Sequence, residues 1–187
     1  MRALNVPSSG EAPKVSELSV PEVTDGTVHV KAAGLNWADN GVAAGDDLQD
    51  DEALRSVLES ARTVAIVGLS TDPGKPSSTI ARILIDAGYE VIPVHPTATE
   101  ILGRKAYPTL AEVPVPVDIV DVFRPPHEAA RIAHDAVAIG ASTFWLQLGI
   151  TSDEARTIAE DAGLDFVENT CIGATTVRLG NTAKGTK

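Results

Sequence analysis

The chain has almost none of the residues that cross-link a protein or bind metal through sulfur. Cys171 is the only cysteine among 187 residues, so neither an intramolecular disulfide nor a cysteine-based zinc site can form within the chain. Disorder as the main state is excluded by the remaining composition. Hydrophobic residues make up 43% and charged residues 22%, which is typical of a globular protein with a substantial core.

Long apolar runs are also missing. The longest are the size of a strand, such as 63–69, whereas a membrane-spanning helix needs about 20 apolar residues. The first residues are interrupted by Pro7, Gly10 and Pro13 and lack the apolar centre of a secretory signal. The sequence therefore predicts a cytoplasmic protein without a membrane partner.

Positive charge is scarce. The chain has 15 Lys and Arg against 26 Asp and Glu, which gives a formal net charge of −11. Nucleic-acid binding needs a basic face that neutralises phosphates, so no nucleic-acid partner is expected. Individual basic residues can still hold a small anion.

An acidic run at 45–52 marks a change in the character of the chain. Such a run is typical of a solvated linker or of a helix N-terminus, where acidic groups favour the positive end of the helix dipole. Before it, short strands are predicted at 2–6, 15–20 and 27–33. We therefore predict a β-rich N-terminal extension over 1–46 and a larger domain over 47–187.

Beyond this boundary, apolar runs of strand length alternate with segments of helical periodicity. Strands are predicted at 64–67, 91–94, 119–123, 143–148 and 164–167. Helices are predicted at 51–61, 77–87, 126–139 and 152–162. This alternation predicts an α/β fold: a Rossmann-like, doubly wound domain with a parallel five-stranded sheet. The expected strand order is 3-2-1-4-5.

The loop after the first strand contains the candidate binding groups. Gly68 stands at the tight turn, Ser70 follows it, and Lys75 precedes a predicted helix that Ser77 and Ser78 are expected to cap. A helix N-terminus offers unpaired N–H groups and a positive dipole end, and Lys75 adds a full charge. The loop is therefore predicted to bind phosphate groups. The alternative is that these residues only form a turn and a cap.

Two nucleotide-binding fingerprints are absent from this loop. It has neither Gly-x-Gly-x-x-Gly nor a Gly-Lys-Ser/Thr ending. NAD also needs an acidic residue at the end of the second strand, where Val94 and His95 stand instead. His95 suits a phosphorylated ribose better than a bare one, although it can equally be a plain turn residue. These observations disfavour NAD.

Short motifs spread along the second part of the chain are shared with one known family. They are TVAIVGLS at 63–70, KPS at 75–77, GYEVIPVHP at 88–96, ILG at 101–103, YPTL at 107–110, VDIVDVFR at 117–124 and WLQLG at 145–149. On these motifs, residues 48–180 resemble the small bacterial CoA-binding proteins. The Rossmann-type domain of that family is also similar to that of the succinyl-CoA synthetase alpha subunit.

The resemblance implies a site for CoA at the carboxyl ends of the strands. The residues it places there are Gly68, Ser70, Lys75 and Ser77 at the diphosphate, Val94 and His95 beside the adenosine, and Phe123 and Arg124 along the crevice. Similar family members also carry a cysteine after the last strand, where Cys171 stands. Cys171 either contacts the CoA thiol or is a buried small apolar residue.

The front of the chain resembles a different family. The motifs MRAL at 1–4, VPEV at 20–23 and VHVKAAGLN at 28–36 are similar to the opening of a quinone oxidoreductase of the medium-chain dehydrogenase type. The nicotinamide-binding part of such an enzyme does not follow. We therefore interpret residues 1–46 as a remnant without the activity of its parent.

The function that the sequence favours is binding of CoA or an acyl-CoA without catalysis, as a simple carrier or as a regulatory module. No acid–base pair supports an enzyme, because Asp118 and Asp121 are expected on opposite faces of one strand. His127 and His134 lack a third ligand for a metal ion. An NAD(P)-linked oxidoreductase or another nucleotide-binding enzyme is the alternative. The sequence does not indicate a protein partner.

Overall fold

The computed structural model describes residues 2–5, 14–17 and 51–183. The chain divides into two units, Met1–Gly45 and Asp46–Lys187. In the first unit, β1 (Arg2–Asn5) pairs antiparallel with β2 (Lys14–Glu17). They correspond to the first two short strands predicted there. The third, at 27–33, lies outside the described residues, and the oxidoreductase resemblance of this segment stays a prediction.

The second unit alternates strands and helices. Its elements are α1 (Asp51–Ser60), β3 (Thr63–Val67), α2 (Pro76–Asp86), β4 (Glu90–Val94), β5 (Glu100–Ile101), β6 (Arg104–Lys105), a 3₁₀ turn (Leu110–Glu112), β7 (Ile119–Val122), α3 (Pro126–Ala138), β8 (Thr143–Leu146), α4 (Asp153–Asp161), β9 (Asp165–Val167) and α5 (Ile172–Leu179). Five of the strands form one parallel sheet, which confirms the Rossmann-like α/β fold. The β5–β6 hairpin and α5 were not predicted.

The order of strands in this sheet is β4-β3-β7-β8-β9, so the expected order 3-2-1-4-5 is wrong. The expected order places β4 inside the sheet, although it contains Pro93. Proline lacks the N–H that an inner strand must donate, and in sheets it occurs at edges. In the observed order β4 pairs with β3 on one side only. On its outer side, the carbonyl of Pro93 accepts the Tyr107 N–H at 3.0 Å.

Helices cover both faces of the parallel sheet. On one face, Leu58 of α1, Leu84 of α2 and Ile172 of α5 belong to the same buried cluster as Trp145 of β8. On the other, α3 and α4 cover Phe144. Trp145 and Phe144 are neighbours in β8 and point to opposite faces, and both are fully buried in the core. No helix within the described residues is long and apolar enough to cross a membrane.

Candidate functional site

The carboxyl ends of β3 and β7 approach each other at Gly68. Its φ is +92°, and a Cβ atom there would lie 2.8 Å from Cδ of Arg124 and 3.0 Å from the carbonyl oxygen of Phe123. Only glycine fits this position without displacing the backbone of the β7 loop. The strand order reverses between β3 and β7, which is where doubly wound sheets form their ligand crevice. Gly68, Phe123 and Arg124 therefore lie together at that crevice.

The serines expected to cap α2 have another role. The N-cap residue is Lys75, Pro76 occupies the first turn, and no side chain caps the helix, so the expected cap by Ser77 and Ser78 is wrong. Proline favours the first helical position, and it places both serines inside the first turn. There, Ser77 Oγ accepts the Ser70 N–H at 3.1 Å, and Ser78 Oγ donates to the Ser70 carbonyl at 3.1 Å. The hydroxyl groups thus hold the loop against the helix.

The same loop leaves donors for an anion. The N–H groups of Thr71 and Ser77 have no partner among the described residues, and neither does the exposed side chain of Lys75. The Asp72 carboxylate accepts a hydrogen bond from the Gly74 N–H, with Oδ1 and the nitrogen 2.8 Å apart. Free N–H groups at a helix start beside one lysine form an arrangement suited to a phosphate group.

Val94 ends the neighbouring strand β4, and His95 follows it. The Val94 side chain is buried in the core, but its carbonyl accepts the Gly68 N–H at 3.2 Å. The His95 ring closes the next turn, since Nδ1 accepts the N–H groups of Ala98 at 3.0 Å and Thr97 at 3.3 Å. Because Nδ1 is engaged as the acceptor of these bonds, Nε2 is the ring nitrogen left to contact a ligand.

Phe123 and Arg124 form the other wall of the crevice. The Phe123 N–H donates to the Val67 carbonyl at 2.9 Å, and its half-buried ring packs against the core beneath α1, α2 and α5. Arg124 makes a two-pronged pair with Glu128, with Nη2 to Oε1 at 2.8 Å and Nε to Oε2 at 3.2 Å. The hydrogen bonds from Arg124 hold the pKa of Glu128 below its ordinary value. The charge of Arg124 at the crevice is therefore partly balanced already.

A buried carboxyl group in β7 was missed by the sequence analysis. Asp121 is fully buried; its Oδ1 accepts a hydrogen bond from Gln147 Nε2 at 2.7 Å, and its Oδ2 has no partner. Burial raises the pKa of Asp121 to about 7, against the opposing hydrogen bonds from Gln147 and the Val122 N–H. The available signal was an acidic residue inside the otherwise apolar run 119–122.

Cys171 is the N-cap residue of α5 and is half-buried. Burial raises the pKa of its thiol, and nearby Asp121 acts in the same direction. Its thiol is therefore protonated at neutral pH and is a weak nucleophile. Cys171 makes no hydrogen bond to the loop around Gly68 among the described residues, and contact with a CoA thiol stays a prediction. In the same part of the chain, no three His, Cys, Asp or Glu side chains lie close enough to hold a metal ion.

The family described as CoA binding domain matches residues 62–176. The chain belongs to this family. The uncharacterized protein YneT of Bacillus subtilis is 36% identical over 119 residues, which cover 64% of this chain and 88% of YneT. A solved structure, a hypothetical protein from Pyrococcus horikoshii OT3, has a TM-score of 0.70 at 33% identity and covers 73% of this chain and 96% of its own.

A larger relative matches over one part of its length. ADP-forming acetate–CoA ligase II of Archaeoglobus fulgidus is 30% identical over 128 residues, which cover 66% of this chain but 18% of the ligase. The CoA-binding family predicted from the sequence is thereby confirmed. The roles of the individual site residues stay predictions.

Proposed function

We propose that the protein binds CoA or an acyl-CoA in the crevice between β3 and β7, as a non-catalytic binding or regulatory protein. Gly68 carries the proposal, because its missing Cβ lets the backbone of the first loop lie against Phe123 and Arg124. A crevice then forms beside the free N–H groups at the start of α2. Membership of the CoA-binding domain family and the similarity to part of an acetate–CoA ligase support CoA as the ligand.

In this proposal each wall of the crevice holds one part of CoA. The diphosphate binds to the N–H groups of Thr71 and Ser77 and to the ammonium group of Lys75. The adenosine lies over the end of β4, where His95 offers Nε2. Phe123 supplies an apolar surface along the crevice. Arg124 contacts the ligand from the same wall while paired with Glu128.

The groups around the crevice support a binding role over a catalytic one. No histidine side chain in the described part of the chain forms a hydrogen bond with a Ser, Thr or Cys side chain, which an activated nucleophile needs. Asp121 is fully buried, and the pKa of Cys171 is raised. An NAD-linked enzyme is disfavoured because β4 ends in Val94 and His95, without an acidic side chain for the ribose.

The first prediction concerns Lys75→Glu. Replacing a charge-assisted contact with repulsion should weaken CoA binding by about 1 to 3 kcal/mol, measured by isothermal titration calorimetry. The affinity of the unchanged protein should also fall as salt is added. Arg62→Glu is the matched control, because Arg62 is an exposed residue just before β3, at the opposite end of the sheet. It makes the same change in charge and should leave the affinity nearly unchanged.

Two results would overturn the proposal. One is CoA binding no tighter than NAD binding. The other is equal affinities for the Lys75→Glu and Arg62→Glu variants. Mass spectrometry of gently purified protein offers an independent check, since a protein that binds CoA tightly should retain it through purification.

A further inference from the structure

A cavity of about 480 Å³ lies at the amino ends of the parallel strands, at the opposite edge of the sheet from the crevice proposed for CoA. Its lining includes Thr63 and Glu90, the first residues of β3 and β4, and Asp118, which directly precedes β7. The residues proposed to bind CoA do not line it. The volume is within the range of about 300 to 1,000 Å³ that is typical of small-molecule sites.

Backbone hydrogen bonds fix the floor of this cavity. Asp118 Oδ2 accepts the N–H groups of Arg62 at 2.7 Å and Thr63 at 2.9 Å. The Thr63 hydroxyl donates to the Pro116 carbonyl at 2.9 Å, and the Glu90 N–H donates to the Arg62 carbonyl at 2.9 Å. These bonds join the segments that precede β3, β4 and β7. The cavity is therefore formed before a ligand binds, which lowers the ordering cost of binding.

Two side chains of opposite charge line the cavity without pairing. Arg62 and Glu90 are exposed, and neither side chain forms an ion pair or a hydrogen bond within the described residues. The carboxylate of Asp118 differs, because its Oδ2 already accepts two backbone N–H groups. One guanidinium and one carboxylate are thus left to contact a ligand, and a ligand with one group of each charge complements them.

An apolar surface lies beside these charges. Val115 is 40% exposed although it is a large apolar residue, and Pro116 next to it is also exposed. Both line the same cavity. An apolar group that covers them removes their surface from water, which is favourable by about 25 cal/mol per Å².

We propose that this cavity binds an α-amino acid with an aliphatic side chain. The carboxylate of the ligand pairs with Arg62, its ammonium group pairs with Glu90, and its side chain covers Val115 and Pro116. A guanidinium group can hold a carboxylate through two parallel hydrogen bonds, and a carboxylate accepts from an ammonium group. Because an α-amino acid carries both charged groups on one carbon, it contacts both side chains at once. The site is separate from the CoA crevice and does not depend on the proposed function.

The test is an NMR titration of the isotope-labelled full chain with L-leucine. The amide resonances of Arg62, Thr63 and Glu90 should shift, whereas those of Gly68 and Ser77 at the other edge of the sheet should not. Isocaproate is leucine without its ammonium group, and isoamylamine is leucine without its carboxylate. Each should bind at least about tenfold more weakly than leucine, as expected when one charge-assisted contact is lost.

Two variants test the assigned contacts. Arg62→Gln and Glu90→Gln should each weaken leucine binding by about tenfold. Both proteins should fold, because these exposed side chains make no hydrogen bond within the described residues. Lys75→Gln is the control, since it also removes one exposed positive charge but lies at the start of α2. It should leave leucine binding unchanged.

Three results would overturn the inference. The first is the absence of any shift at about 10 mM leucine, which is weaker than a specific site should be. The second is binding of isocaproate or isoamylamine as tight as that of leucine. The third is a set of shifts confined to the residues around Gly68. None of these results bears on CoA binding, which a separate titration of the same protein with CoA measures.

Discussion

Two aspartates three residues apart, Asp118 and Asp121, differ in their surroundings. Asp118 Oδ2 accepts the N–H groups of Arg62 at 2.7 Å and Thr63 at 2.9 Å, together with the Thr63 hydroxyl at 3.0 Å. These donors stabilise a carboxylate. Asp121 is fully buried with one side-chain partner, Gln147, and an unpartnered Oδ2. Burial disfavours its ionised form, so the pKa of Asp121 is raised while the pKa of Asp118 is lowered.

The state of Asp121 makes stability depend on pH. The pKa of Asp121 is about 7 in the folded protein against an ordinary value of 3.8. Between these values the unfolded chain releases a proton that the folded protein keeps. The free energy of unfolding should therefore fall as pH rises, by up to about 1.4 kcal/mol per pH unit, and this contribution should level off above about pH 7.

The Asp121→Asn variant should lose this dependence, because asparagine keeps the acceptor for Gln147 and cannot ionise. Urea unfolding of both proteins at pH 5, 6, 7 and 8 measures the effect. The variant should gain stability relative to the unchanged protein as pH rises. A constant difference in unfolding free energy at all four pH values would contradict the prediction.

At the scale of elements, α1 and the end of α5 are joined by one partly buried and one exposed link. In the partly buried link, Asn181 Nδ2 donates to the Arg55 carbonyl at 3.2 Å, while Arg55 Nη1 donates to the Leu179 carbonyl at 2.8 Å and to Asn181 Oδ1 at 3.3 Å. In the exposed link, Arg178 pairs with Asp51 at 2.6 Å. The two links connect the same helices, so they can be compared directly.

The partly buried link should contribute more to stability. Asn181 is 5% exposed, so Asn181→Ala removes a buried amide and its hydrogen bond to the Arg55 carbonyl, and should cost about 1 to 3 kcal/mol. Arg178→Ala removes a pair whose side chains are 52% and 62% exposed, and should cost about 0 to 1 kcal/mol. Urea unfolding of the two variants measures both values. A larger loss from Arg178→Ala would show that the surface pair governs the contact.

For the whole molecule, residues 1–45 are expected to be dispensable. The parallel sheet and the helices on its faces all lie within 51–183. A chain that begins at Asp46 should therefore stay soluble, melt cooperatively and bind CoA with unchanged affinity, as measured by calorimetry. Aggregation, or a change of oligomeric state by light scattering, would instead show that the first unit covers a sheet edge or an apolar surface.

Much of this molecule is encoded in local sequence. Continuous apolar runs are typical of parallel strands buried on both faces, and apolar residues three or four apart are typical of helices buried on one face. The alternation of these two patterns along the chain therefore indicates an α/β fold. The turn at Gly68 and the helix start after Lys75 were also readable, because the residues that form them are close together in the chain. Pro93 was a local signal for an edge strand, and it was overlooked.

Only the tertiary structure determined the strand order, the place of the β5–β6 hairpin and the state of Asp121. Strand order depends on pairings between distant segments, such as β3 with β7, which no local pattern encodes. The pKa of Asp121 is raised because the elements packed around β7 bury its carboxyl group completely. The hairpin lies along the outer side of β4 because Tyr107, which follows it, pairs in parallel with Val94. In each case the property belongs to groups that folding brings together, so its physical cause does not exist in the unfolded chain.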